Sequence, residues 1–134
     1  MPTVIALTET WLLDQHTQLY AIPGYDAYFS CRANMSAGIA MYVKSDYKSE
    51  LMEMSNGLVS YLKLKVNFGC DFMYVSTFYM PCRRDYASLF ETLEVVTGEN
   101  VSSKHVIVGD FNIDVNQSDS IVNEYFGAYE MQRI

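Results

Sequence analysis

The chain has 134 residues, 50% hydrophobic, 19% charged and 14% aromatic, a balance that excludes disorder and fits one compact domain. Its 9 basic and 16 acidic residues give a net charge of −7, an unfavourable starting point for binding a polyanion unless carboxylates gather around a divalent cation. The charge is uneven: residues 1–67 hold 5 Lys/Arg against 6 Asp/Glu, and residues 68–134 hold 4 against 10. No apolar run reaches the ~18 residues that span a bilayer, and no basic-then-apolar leader opens the chain. Neither a membrane protein nor a secretory precursor is expected. The 3 cysteines (Cys31, Cys70, Cys82) are odd in number and lack C-x-x-C spacing, which excludes a zinc ribbon and argues against a disulfide framework. A reducing compartment, nucleus or cytoplasm, is the expectation.

In chain order, Thr3 to Leu7 is a short β-branched run that reads as a buried strand ending against Thr8-Glu9-Thr10-Trp11. Pro23-Gly24-Tyr25 marks a turn, and Tyr25 to Arg32 and Gly38 to Lys44 read as the next two strands. Leu58 to Val66 alternates, with Leu62, Leu64 and Val66 on one face and Lys63 and Lys65 on the other, as in a half-buried antiparallel strand. After a turn at Asn67-Phe68-Gly69, Phe72 to Tyr79 is more uniformly apolar and reads as central, and Pro81 stops it. Tyr86 to Val96 has helical spacing closed by Gly98. Val106 to Val108 is a short strand leading into Gly109-Asp110-Phe111-Asn112, and Ser120 to Met131 is helical, with Ser118 or Asp119 as its cap. This order predicts an α/β (α+β layered) fold of mostly antiparallel strands rather than a doubly wound one.

Three strand ends carry polar residues: Glu9, Tyr79, and Asp110 with Asn112. An acid at the lip of an apolar strand suits a ligand site on a rigid scaffold. Each also has a plain reading: Glu9 as a cap, Tyr79 as a sheet aromatic, and Asp110 as an Asx-turn residue in G-D-x-N.

Taken together, L-T-E-T-W-L at 7–12, G-I-A-M-Y-V at 38–43, Tyr79-Met80-Pro81 and G-D-F-N at 109–112 resemble the endonuclease/exonuclease/phosphatase superfamily. Within it the chain is most similar to the apurinic-type endonuclease domain of non-LTR (LINE-like) retrotransposons of animals. That resemblance implies a partial four-layer α/β sandwich and metal-assisted hydrolysis of a phosphodiester, nicking one DNA strand. It implies that Glu9 holds the divalent cation, usually Mg²⁺, with Mn²⁺ as a substitute. Asp110 then positions or deprotonates the attacking water, Asn112 contacts the scissile phosphate and orients Asp110, and the Tyr79 hydroxyl contacts the phosphate. The partners implied are the DNA backbone and, in a full-length element, a reverse transcriptase domain.

Departures from the family pattern bear equally on function. The family places an asparagine-bearing strand before L-T-E-T-W and an S-D-H motif well after G-D-F-N, and neither is present in residues 1–134. His105 reads as a strand-edge residue and His16 as an exposed loop residue, so neither replaces the missing histidine. Residues 1–134 are therefore expected to form a partial domain lacking the N-terminal strand and the C-terminal catalytic part. The alternative to an active nuclease is a catalytically inactive, truncated or domesticated remnant acting as a binding module. Arg83 and Arg84 read as a solvated loop pair, Trp11 as a packing residue under the Glu9 loop, and methionines such as Met35, Met41, Met52, Met54 and Met80 as core fillers.

Overall fold

A computed structural model describes residues 1–31, 37–81, 86–98, 103–113, 123–125 and 127. Its strands are β1 (Val4–Thr8), β2 (Tyr25–Ser30), β3 (Ile39–Lys44), β4 (Ser49–Asn56), β5 (Ser60–Phe68), β6 (Asp71–Tyr79) and β7 (His105–Asp110). Helix α1 (Tyr86–Gly98) joins β6 to β7, and a 3-10 helix, Asp14–Tyr20, follows β1. The strands form a 3-stranded sheet, β1-β3-β2, and a 4-stranded sheet, β4-β5-β6-β7. All described pairings are antiparallel except β6 with β7, where the α1 crossover returns the chain in the same direction.

Period-two alternation sorts the side chains. Ile39, Met41 and Val43 of β3 meet Leu62, Leu64 and Val66 of β5 and Val75 and Tyr79 of β6 between the sheets. The other face of the second sheet, through Val59, Phe78 and Met80, packs under Leu89, Leu93 and Val96 of α1. On the outer face of the first sheet lies the 3-10 helix, tied by the Tyr42 hydroxyl donating to the Tyr20 carbonyl at 2.9 Å. The layers are thus helix, sheet, sheet, helix, as expected, with a thin first layer that buries none of its own residues.

The sandwich is closed on one side and open on the other. Edge strands β2 and β4 are tied across the gap: Tyr28 Oη lies 2.9 Å from Ser49 Oγ, and Ser30 Oγ donates to the Ser55 carbonyl at 3.0 Å. On the opposite side, β1 and β7 are the edges of their sheets and lie against each other with no such polar ties among the described residues.

Several sequence readings change. The half-buried strand at Leu58 to Val66 is β5, a central strand covered on both faces, because α1 lies over the lysine side. Lys63 is only 2% exposed there, and its ammonium donates to the Val96 carbonyl at the end of α1 at 2.7 Å. Strand β4, not anticipated, is a polar edge in which Met52 and Met54 are exposed. Met41 and Met80 do fill cores, whereas Met35 lies outside the described residues. Phe72 to Tyr79 is an interior strand. The terminal helix is described only at 123–125 and 127, and its cap residues, Cys82, Arg83 and Arg84 also lie outside the described residues.

Candidate active site

Glu9 and Asp110 are about 100 residues apart in sequence and belong to different sheets. They come together because β1 and β7 are the facing edges of the open side. The first and last strands are thus neighbours across the sandwich, not within one sheet. Tyr79 links them. Its ring is buried in the inter-sheet core, its hydroxyl donates to Glu9 Oε1 at 2.7 Å, and its backbone is in register with Asp110. The ladder runs one residue further, with Met80 N–H donating to the Asp110 carbonyl at 3.0 Å.

The loop after β7 is built around Asp110. Its Oδ1 accepts from the Asn112 backbone N–H at 3.0 Å, which is the Asx-turn geometry, so the plain reading and the functional one hold together. Asn112 has φ 49, a left-handed conformation that asparagine tolerates better than most residues. Its carboxamide nitrogen donates to the Met80 carbonyl at 2.5 Å, clamping the loop to the end of β6. Asp110 is thus oriented by the backbone of Asn112, and the Asn112 side chain braces the turn.

At the β1 end the backbone is strained. Glu9 (φ 53) and Trp11 (φ 57) both adopt left-handed conformations, each costing on the order of 1–3 kcal/mol that the surroundings must offset. Two hydrogen bonds hold this bend: Thr10 N–H to the Gly38 carbonyl at 3.1 Å and Trp11 N–H to the Ala37 carbonyl at 2.9 Å. Trp11 itself is 57% exposed, so it does not pack under the loop as its hydrophobicity suggested.

Between β1 and the β6–β7 pair is an open cleft of about 240 Å³ lined by Ala6, Thr8, Thr77, Val108, Gly109 and Asp110. Thr77, two residues before Tyr79 on the same strand face, is fully buried and its hydroxyl has no partner. Neither Thr8 nor Thr77 was singled out from sequence, although period two from Tyr79 does point to Thr77. His105 is the first residue of β7, partly buried and distant in register from Asp110, with Nε2 2.8 Å from Ser76 Oγ. His16 lies in the 3-10 helix. Among the described residues no group of three or more His, Cys, Asp and Glu gathers at one point.

No protein-family model matches the chain, and no curated protein is matched by sequence. Solved structures are matched. The endonuclease domain of TRAS1, a telomere-specific non-LTR retrotransposon, superposes with a TM-score of 0.63 at 12% identity, over 82% of this chain and 54% of that one. D. rerio TDP2, complexed with a single-strand DNA product, gives 0.59 at 17% identity over 90% and 52%. The human Nocturnin catalytic domain, with bound sulfate, gives 0.58 at 15% identity over 85% and 53%. All have the endonuclease/exonuclease/phosphatase-type fold, and this chain has that fold over about half the length of each.

Proposed function

We propose that the chain carries one wall of a metal-dependent phosphodiesterase site that nicks DNA, of the kind encoded by non-LTR retrotransposons. The observation that carries this reading is the Tyr79–Glu9 hydrogen bond at 2.7 Å with Asp110 in register beside Tyr79, which gathers the three motif residues at one lip. The shared fold supports it, as does the single-strand DNA product bound by the TDP2 structure.

The donor chemistry fits a hard divalent cation. Glu9 is exposed, one of its oxygens accepts from Tyr79, and the other has no partner among the described residues, so it can take a ligand. Mg²⁺ is commonly held by one or two carboxylates with waters and substrate phosphate, so a three-ligand cluster is not required. When bound, such an ion neutralises charge on the phosphate and on the leaving oxygen. The chain's own groups do the rest. Asp110, fixed through Oδ1, has its second oxygen to take the proton of a water. That water's oxygen bonds to phosphorus as the bond to the 3′ oxygen breaks, and the leaving oxygen is protonated from solvent. Tyr79 spends its hydroxyl proton on Glu9 in this structure, so its first role is to hold that carboxylate in place. In a full-length element a reverse transcriptase domain would be the partner. The free thiols of Cys31 and Cys70 accord with a reducing compartment, nucleus or cytoplasm.

A supercoiled-plasmid nicking assay with Mg²⁺ or Mn²⁺ tests this. Only slow metal-dependent nicking is expected from this wall alone, since the family's first-strand asparagine and S-D-H motif are not in residues 1–134. It should fall by a further factor of roughly 10²–10³ or more in Asp110→Ala, the scale of losing one preorganised group in such a site. DNA binding by the wild-type chain without metal-dependent nicking would overturn the catalytic reading and leave a binding module.

A further inference from the structure

Beyond the hydrolytic residues, and resting on the nucleic-acid reading above, we infer that Trp11 is a stacking platform for an unpaired base next to the phosphate handled at Glu9. Burial statistics favour an interior place for a large aromatic, yet this one, the chain's single tryptophan, is 57% exposed. It is not loosely held. Its backbone N–H is bonded to the Ala37 carbonyl at 2.9 Å, and Thr10 beside it is packed so closely on Gly38 that a Cβ there would lie 2.6 Å from Thr10 Oγ1. Thr10 is the partly buried anchor of the bend, and Glu9 and Trp11, the residues on either side of it, are the exposed ones.

The surface around Glu9 continues in the same character. Leu19 and Tyr20, at the end of the 3-10 helix, are 79% and 50% exposed, and Tyr20 lines a cleft of about 260 Å³ together with Glu9. Apolar and aromatic surface therefore begins where the carboxylate ends. The charge points the same way. On a chain of net charge −7 the long-range attraction that usually supplies nucleic-acid affinity is missing, so a ligand strand must be held by contacts that do not depend on counterion release. Stacking on an aromatic face is such a contact, and it tolerates any base. The ligand class is a single-stranded or locally unpaired deoxynucleotide stretch, with a base on Trp11 and its phosphate towards Glu9.

Because Trp11 is the only tryptophan, its own fluorescence reports the contact in the unmodified protein. The probes are a single-stranded thymidine oligonucleotide and an abasic oligomer of equal length, which carries the same phosphates without bases. Quenching by the thymidine oligonucleotide and not by the abasic one is expected, with binding followed in parallel by anisotropy of the labelled oligomers. Trp11→Ala should weaken the thymidine oligonucleotide roughly 5- to 150-fold at fixed salt, Trp11→Phe should recover most of it, and neither should alter the salt slope. Equal affinity and quenching by the abasic oligomer, or unchanged affinity in Trp11→Ala, would overturn the stacking role. If that happens while Asp110→Ala still abolishes metal-dependent nicking, the hydrolytic reading stands and only this one fails. Binding of neither oligomer by the wild-type chain would remove both Trp11's role and DNA as the substrate.

Discussion

A methyl group on Gly109 would sit 2.1 Å from the Phe78 carbonyl oxygen and 2.8 Å from the Phe78 nitrogen. Those atoms are sheet backbone, fixed by the β6–β7 ladder, and cannot give way without breaking the register that sets Tyr79 beside Asp110. Gly109 also has φ 154, which side-chain-bearing residues rarely adopt. Gly109→Ala is expected to destabilise the fold by on the order of 3 kcal/mol or more, read as a large drop in thermal midpoint. A variant melting within a degree or two of the wild type would show that β7 can shift at no cost. At this scale the sequence was informative where side-chain chemistry and backbone demand coincide. G-D-F-N names a residue with no Cβ, a carboxylate and a residue tolerant of φ 49, and the structure uses all three properties. It was uninformative for Trp11, since hydrophobicity alone predicts burial and the left-handed bend that brings it to the surface has no local signature. Thr77 was equally silent, because a threonine inside an apolar strand looks like any β-branched residue.

The pairing of β6 with β7 also carries a titratable group. His105 opens β7 across from Tyr74, its Nε2 is 2.8 Å from Ser76 Oγ, and its Nδ1 is buried with no partner. Burial, and then the positive charge of Lys63 nearby, push its pKa down from 6.5 to about 4. A histidine held neutral in the fold but free to protonate when unfolded makes stability depend on pH in one direction. Its contribution is full above about pH 6.5, is lost progressively as pH falls toward about 4, and is constant below that. After discounting for the ring's partial exposure, the loss is on the order of 2 kcal/mol. Carboxylates titrate in part of this window, so the measurement is the difference between wild type and His105→Gln in unfolding free energy from pH 4 to 7. The wild type should lose more stability on acidification, and parallel profiles would refute the assignment. The surrounding elements show why periodicity reads only part of a fold. Alternation identified which side of β5 faces the other sheet, and that assignment holds in Leu62, Leu64 and Val66. It could not show that α1 would cover the lysine side, because Lys63 lies under that helix by satisfying the Val96 carbonyl, a contact 33 residues away. β4 escaped for the opposite reason: an edge strand with Glu50, Glu53 and exposed methionines has neither apolar alternation nor β-branched enrichment.

At the scale of the whole molecule, the order of apolar runs was enough for the layered architecture, but which strands end as edges depends on non-local pairing that no window contains. That matters for how the molecule behaves in solution. Strand β6 is interior and β7 beside it is an edge: Val106 and Val108 are 39% and 38% exposed, and Leu7 of the neighbouring edge β1 is 44% exposed. Among the described residues, two adjacent edges therefore have no further strand paired to them and present apolar side chains on the open side of the sandwich. The opposite side is closed by the Tyr28–Ser49 and Ser30–Ser55 bonds. Edges of this kind recruit further strands, and neither is blunted by a lysine, a proline or a described bulge. The expected behaviour of the 134-residue chain is concentration-dependent association through this side, seen as a rising mean mass in sedimentation velocity. Val106→Lys combined with Val108→Lys should suppress it, because two charges facing an incoming strand oppose its docking while leaving the Tyr79–Asp110 register untouched. Association at the β2–β4 side would instead leave the double variant as self-associating as the wild type. A sharp monomer across the concentration range would show that the open side is satisfied within the chain itself.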